Sequence, residues 1–123
     1  MSYVDGFVIA VAEGKRQAFI DHARDLDPVF IEQGATRIVE CWEDDVPDGK
    51  RTDFRRAVAS EPGERVVFSW IEWPDKATRD AAMAKMTELT TGDPRFAGPM
   101  PFDGARMIFG GFTPVVELGG RTA

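Results

Sequence analysis

The sequence predicts an α+β domain: four strands in one antiparallel sheet, two helices on one face, a single domain over residues 1–118 and a short tail at 119–123. Three observations predict it. The segments follow one another as strand, helix, strand, strand, helix, strand, the order of a split βαβ unit. Both helical segments carry apolar residues at three- and four-residue spacing. The chain has 123 residues, 43% of them hydrophobic, with nine Phe and three Trp, which suffices for one core and excludes a two-domain enzyme.

Tyr3 to Val11 is apolar at odd positions (Phe7, Ile9, Val11) and at even ones (Val4, Val8, Ala10), the mark of a strand covered on both faces. Phe19, Ala23, Leu26 and Phe30 then recur at steps of four, three and four, predicting a helix from about Lys15 to Gln33. Pro28 inside it predicts a kink or a restart after Asp27, and Gly34 a positive-φ stop. Thr36 to Glu43 reads as a strand with Ile38, Glu40 and Trp42 on one face and Val39 and Cys41 on the other. The polar run Asp44 to Lys50 is a surface loop, and Phe54 to Ala59 fits either a short helix or an extended segment, the reading leaning to extended. Val66 to Trp73 is the strongest strand and belongs in the sheet centre. Pro74 ends it, Asp75 caps a second helix with Ala82, Met86 and Leu89 inward, and Asp93-Pro94 closes that helix. Phe96 to Phe102 is a Pro/Gly loop apolar enough to pack down on something, and Arg106 to Val116 is the last strand, with Gly110-Gly111 in its middle.

This is the ferredoxin-like pattern. Two helices cover one face only, and the other face keeps some of Phe7, Ile9, Trp42, Phe68, Trp70, Phe109 and Phe112, so the simplest occupant is a second copy of the sheet, closing a dimeric α+β barrel. The partner expected is therefore a homodimer mate through the sheet face. Lys and Arg total 15 against 21 Asp and Glu, a net charge of −6, which argues against a nucleic-acid partner. The start lacks a basic stretch followed by an apolar run and nothing approaches a membrane span, so no membrane association is expected. The single Cys41 excludes an internal disulfide and a cysteine metal cage, pointing to a cytoplasmic setting.

Several segments together resemble the YbaA-like family of small uncharacterised bacterial proteins: Asp5-Gly6-Phe7-Val8, Asp44 to Gly49, Val67 to Ile71, Asp93-Pro94-Arg95, and the long motif Pro101 to Phe112. The likeness spans nearly the whole chain. It implies a dimeric α+β barrel of ferredoxin-like protomers and no established activity. Ala105 stands where related sequences often carry a lysine. Some relatives carry a description linked to signal-recognition-particle RNA, which neither the net charge nor any interleaving of basic and aromatic residues supports here.

No residue set forms a strong catalytic signature, so the catalytic residues stay unknown, with His22, Glu40 and Arg106 as candidates. His22, the only histidine, borders the buried helix face and could serve as a base, against the plainer reading of a boundary histidine. Glu40 and Glu72 are carboxylates in apolar strands, costly unless paired; Glu40 could point into a cavity with a raised pKa or be neutralised by Arg37 or Arg106, and for Glu72 the structural reading dominates. Asp44, Asp45, Asp48 and Asp53 lack the spacing of a calcium loop and read as turn residues; no metal and no cofactor are expected. Ser69 has no nucleophile elbow. The candidate ligand-binding set is Asp103 and Arg106 at the mouth of a pocket lined by Trp42, Trp70, Phe109 and Phe112; against it stands a turn aspartate, an Arg106 ion pair and glycines that accommodate packing.

The expected function is binding of a small hydrophobic or amphipathic molecule between sheet and helices. The alternatives are a cofactor-free monooxygenase- or isomerase-like enzyme and a purely structural or protein-interaction dimer. Fold alone does not choose among them.

Overall fold

The computed structural model describes residues 2–96 and 98–119. Strand β1 spans Tyr3–Ala12, and a 3₁₀ turn at Glu13–Lys15 leads into α1, Arg16–Glu32. Then come β2 (Arg37–Trp42), a four-residue helix α2 (Phe54–Ala57), β3 (Glu64–Trp73), α3 (Lys76–Gly92) and β4 (Ile108–Phe112), with 3₁₀ turns at Pro94–Phe96 and Gly104–Arg106. The sheet order is β2-β3-β1-β4 and every neighbouring pair is antiparallel. This is the ferredoxin-like α+β fold read from the sequence.

Register decides which side chains share a face, because directly paired residues point the same way. One row across the sheet runs Glu40, Ser69, Phe7, Phe109, toward the helices. The next runs Val39, Trp70, Gly6, Gly110, away from them. The helix side holds two packed clusters, one around Tyr3, Ile71 and fully buried Trp73, the other around Ile9, Val11, Phe19 and Val67. The opposite side leaves Phe68 45% and Phe112 61% exposed. Of the apolar residues expected there, Phe68, Trp70 and Phe112 lie on the bare face, whereas Phe7, Ile9, Trp42 and Phe109 project toward the helices.

Three local expectations are corrected. Helix α1 runs through Pro28 without a restart; Pro28 and Arg24, whose carbonyl loses its helical partner, are both exposed, so water can satisfy the freed group. Phe54 begins a helical turn rather than an extended segment, because Asp53 accepts hydrogen bonds from the Arg56 and Gly49 backbone N–H groups at 2.8 and 3.0 Å and caps it. The last strand is confined to Ile108–Phe112: Arg106 belongs to a 3₁₀ turn and Pro114 has no N–H for a ladder. Its two glycines make no bulge, since β1 and β4 pair without interruption. Gly111 instead leaves room for the Tyr3 hydroxyl and the Arg79 guanidinium, the latter 2.9 Å from where a Cβ would stand. Of the expected tail, residues 120–123 lie outside the described residues.

Candidate functional site

The site begins with one helix stripe. Phe19, Ala23 and Asp27 recur every four residues, which stacks them on the α1 face turned to the sheet, with His22 and Leu26 beside them. Alternation along β2 aims Glu40 at the same space between Ile38 and Trp42, and pairing places Ser69 of β3 directly beside it. The result is a cavity of about 190 Å³ between α1 and the sheet, roofed by Phe96, Met100 and Phe102 of the loop after α3. Phe96 and Phe102 of that loop pack down as its apolar content predicts, whereas Met100 stays 51% exposed and Ala97 lies outside the described residues. Next to the cavity lies an outer groove of about 860 Å³ between α1 and the edge strand β2. Groove and cavity share Phe19, Ala23, Asp27 and Glu40 in their walls, so the two carboxyl groups stand where one opens into the other.

Asp27 and Glu40 meet at this junction, each shifting the titration of the other, and the register sets Ser69 beside Glu40. Glu40 as a residue is open to water along the groove, yet its carboxyl end is crowded by protein. That desolvation, then the charge of Asp27 and the hydrogen bond to it, pushes the Glu40 carboxyl up to about 8, while Ser69 pulls the other way. Burial also raises Asp27, partly offset by the hydrogen bond from Glu40. The two carboxyl groups are thus coupled and titrate as a unit. Burial lowers the pKa of His22, with Asp25 opposing, and its ring lies 5.9 Å from that of Phe102 in a T-shaped arrangement on the cavity wall. At the groove mouth the Arg16 guanidinium lies 5.6 Å from the Trp42 ring centre. Among the described residues no group of three His, Cys, Asp or Glu side chains is placed to hold a metal ion, and no helix is long and apolar enough to cross a membrane.

Only some of the candidates read from the sequence meet here. His22 and Glu40 line the cavity and Trp42 the groove. The six residues suggested for a ligand do not form one pocket. Three of them, Trp70, Phe109 and Phe112, line one open hollow at the bare face, with Phe109 70% exposed and stacked at 6.5 Å on Phe7, whereas Trp42, Asp103 and Arg106 lie elsewhere. Arg106 is fully engaged elsewhere: it donates to both Glu64 carboxylate oxygens at 2.7 Å, to Asp103 at 3.1 Å and to the Ala59 carbonyl at 3.0 Å. Glu72 takes a hydrogen bond from the Trp70 indole at 2.8 Å on the bare face. Asp27 was missed by the sequence reading, although the steps from Phe19 through Ala23 place it on the inward stripe.

Over residues 2–104 the chain matches the family described as "Protein of unknown function (DUF1428)". The chain belongs to this family. The DUF1428 chain is 56% identical over 120 residues to the uncharacterized protein YbaA of Escherichia coli K12, covering 95% of this chain and 99% of that one, and the Shigella flexneri YbaA matches equally. The YbaA-like resemblance read from the motifs is thus confirmed. Among solved structures, a dimeric ferredoxin-like protein from an uncultured marine organism aligns over 96% of this chain and 100% of its own, with a TM-score of 0.59 at 14% identity. A Bacillus cereus protein provisionally described as an antibiotic biosynthesis monooxygenase aligns over 97% and 98%, with a TM-score of 0.54 at 10% identity. At such identities the likeness to this DUF1428 chain is one of fold.

Proposed function

We propose that this protein binds a small, predominantly apolar molecule bearing a hydrogen-bonding group, which enters along the groove beside α1 and reaches the cavity under the sheet. The observation that carries this reading is the continuity of groove and cavity, with apolar walls and polar side chains gathered at their junction. Such a convergence of a few polar groups in an apolar recess is the usual form of a small-molecule site. His22, whose pKa burial lowers, and the Glu40 carboxyl, raised to about 8, favour a ligand that donates and accepts hydrogen bonds over a strongly charged one.

Titration with 1-naphthol, followed by tryptophan fluorescence and amide chemical shifts, tests this. Saturable changes at α1 and β2 are expected, and Ala23→Trp, which plugs the junction, should abolish them while leaving the unfolding temperature near that of the parent. Absence of saturation in the parent, or equal binding by the plugged variant, refutes the reading.

The protein acts as a homodimer in this proposal, with the bare faces of two sheets packed together. Support comes from the exposure of Phe68, Ile108 and Phe112 on one face and from the dimeric description of the marine neighbour. Sedimentation should give a mass of two chains, and Trp70→Glu a mass of one; a single-chain mass for the parent overturns the dimer. The lone Cys41 accords with a reducing, cytoplasmic setting.

A further inference from the structure

Two carboxyl groups from different elements, placed face to face in an apolar recess, need a reason. In the rest of the molecule partly or fully buried carboxylates are met by cations or donors: Glu43 by Arg55 and Arg65, Asp5 by Arg79, Glu64 by Arg106. Among the described residues neither Asp27 nor Glu40 has a Lys or Arg within salt-bridge distance. From α1 the titratable groups along this channel are His22 and Asp27, with Arg16, Arg24 and Glu32 on the groove walls. From β3 it is met by Ser69, and the described residues that roof it, Phe96, Met100, Phe102 and Met107, carry no titratable group. An uncompensated pair of this kind costs stability, and it supplies what a structural role does not require, a carboxylic acid and a carboxylate side by side.

We propose that Asp27 and Glu40 form an acid–base pair that moves a proton between two carbons of a small neutral carbonyl compound, isomerising a β,γ-unsaturated ketone or lactone to its conjugated form. The substrate carbonyl sits against the protonated Glu40 and Ser69, and the CH₂ between carbonyl and alkene sits against ionised Asp27. Asp27 takes a proton from that carbon while Glu40 gives its proton to the carbonyl oxygen, producing a dienol. Glu40 then recovers its proton as the carbonyl re-forms, and Asp27 returns its own to the γ carbon. One C–H bond breaks, one forms, the double bond shifts, and the pair ends as it began, with no oxidant or co-reactant. General acid–base catalysis of this type contributes roughly 10² to 10⁴-fold. The inference rests on the small-molecule reading of the same channel.

The test uses cyclohex-3-en-1-one as probe, with conversion to cyclohex-2-en-1-one followed by ultraviolet absorbance and binding followed separately by amide chemical shifts. The purified protein should accelerate conversion over buffer. The rate should rise as the pair loses its first proton and fall as the second leaves near pH 8. Asp27→Asn should lower the rate about 100-fold or more while the probe still binds. Glu40→Gln, which keeps a donor but cannot give up a proton, should remove the descending limb near pH 8. Binding without acceleration overturns the proton-transfer assignment and leaves the binding site standing; no binding overturns both. Full activity in Asp27→Asn overturns the role of the pair.

Discussion

Arg79 of α3 grips Asp5 of β1 with two donors: Nη2 reaches Oδ1 at 2.7 Å and Nε reaches Oδ2 at 3.1 Å. The Trp73 indole adds a third hydrogen bond to the same carboxylate at 2.9 Å, and Asp5 is only 3% exposed. The same guanidinium lies 5.1 Å from the centre of the Tyr3 ring, whose hydroxyl passes over Gly111. One arginine therefore ties a helix to the central strand and, through Tyr3, to edge strand β4. Removing it strands a buried charge, so Arg79→Met should cost about 3 kcal/mol, read as a lower urea midpoint. Arg79→Lys should recover only part, because an ammonium cannot reproduce the fork. Equal stability of Arg79→Met and the parent would refute the pinning role.

Gly34 ends α1 with φ of 112°, and a Cβ there would stand 2.6 Å from Cγ2 of Thr78. Two separate penalties follow for Gly34→Ala, backbone strain and a steric clash with α3. Thr78→Ser removes the methyl and leaves the φ problem. The double variant should therefore be more stable than Gly34→Ala alone, while remaining about 1 kcal/mol or more below Thr78→Ser. A double-mutant cycle by thermal unfolding separates the two; no coupling would mean that the helix ends move apart freely.

Periodicity carries most of this fold in the sequence. The alternation of Ile38, Glu40 and Trp42 already put the three on one face, though not which one, and the α1 stripe of Phe19, Ala23, Leu26 and Phe30 already marked the helix side that faces the sheet. What the chain order hides is the partner. Asp27 sits next to Pro28 and reads as a helix breaker's neighbour, although it extends the stripe by one more step of four. Ser69 shows itself only through the β2–β3 register, which no local pattern fixes. The aromatic set failed for a similar reason: Trp42 and Trp70 are each plausible pocket walls, but pairing sends their side chains to opposite faces. Arg106 was legible as an ion-pair residue, whereas its partner Glu64 lies 42 positions away, at the start of β3.

That Arg106–Glu64 pair predicts an acid limb. Hydrogen bonds from Arg106 hold the Glu64 carboxyl down to about 2, below its ordinary 4.5. A depressed carboxyl stabilises the fold fully above the unfolded value and loses that contribution as pH falls through the folded one. Glu64→Gln should therefore be less stable than the parent near neutrality, with the gap closing between about pH 4.5 and pH 2. Denaturant unfolding across that range checks it, and a gap independent of pH would show that the pair works through packing alone.

Glu40 predicts the opposite slope, because its carboxyl is raised rather than lowered. The unfolded chain gives up this proton near 4.5 and the folded one keeps it to about 8. Between those values the unfolded state binds fewer protons, so stability contributed at this position falls as pH rises and levels off above about 8. Replacing it with Gln removes the titration. Glu40→Gln should match the parent near pH 4.5 and exceed it above pH 8, by about 1–2 kcal/mol because the open groove screens the charge. Asp27→Asn takes away the neighbouring negative charge, so the parent's slope should move to lower pH in that variant. If the Glu40→Gln advantage were the same at both ends of the range, the two carboxyl groups would not be sharing a proton, and the acid–base pairing would fall with it.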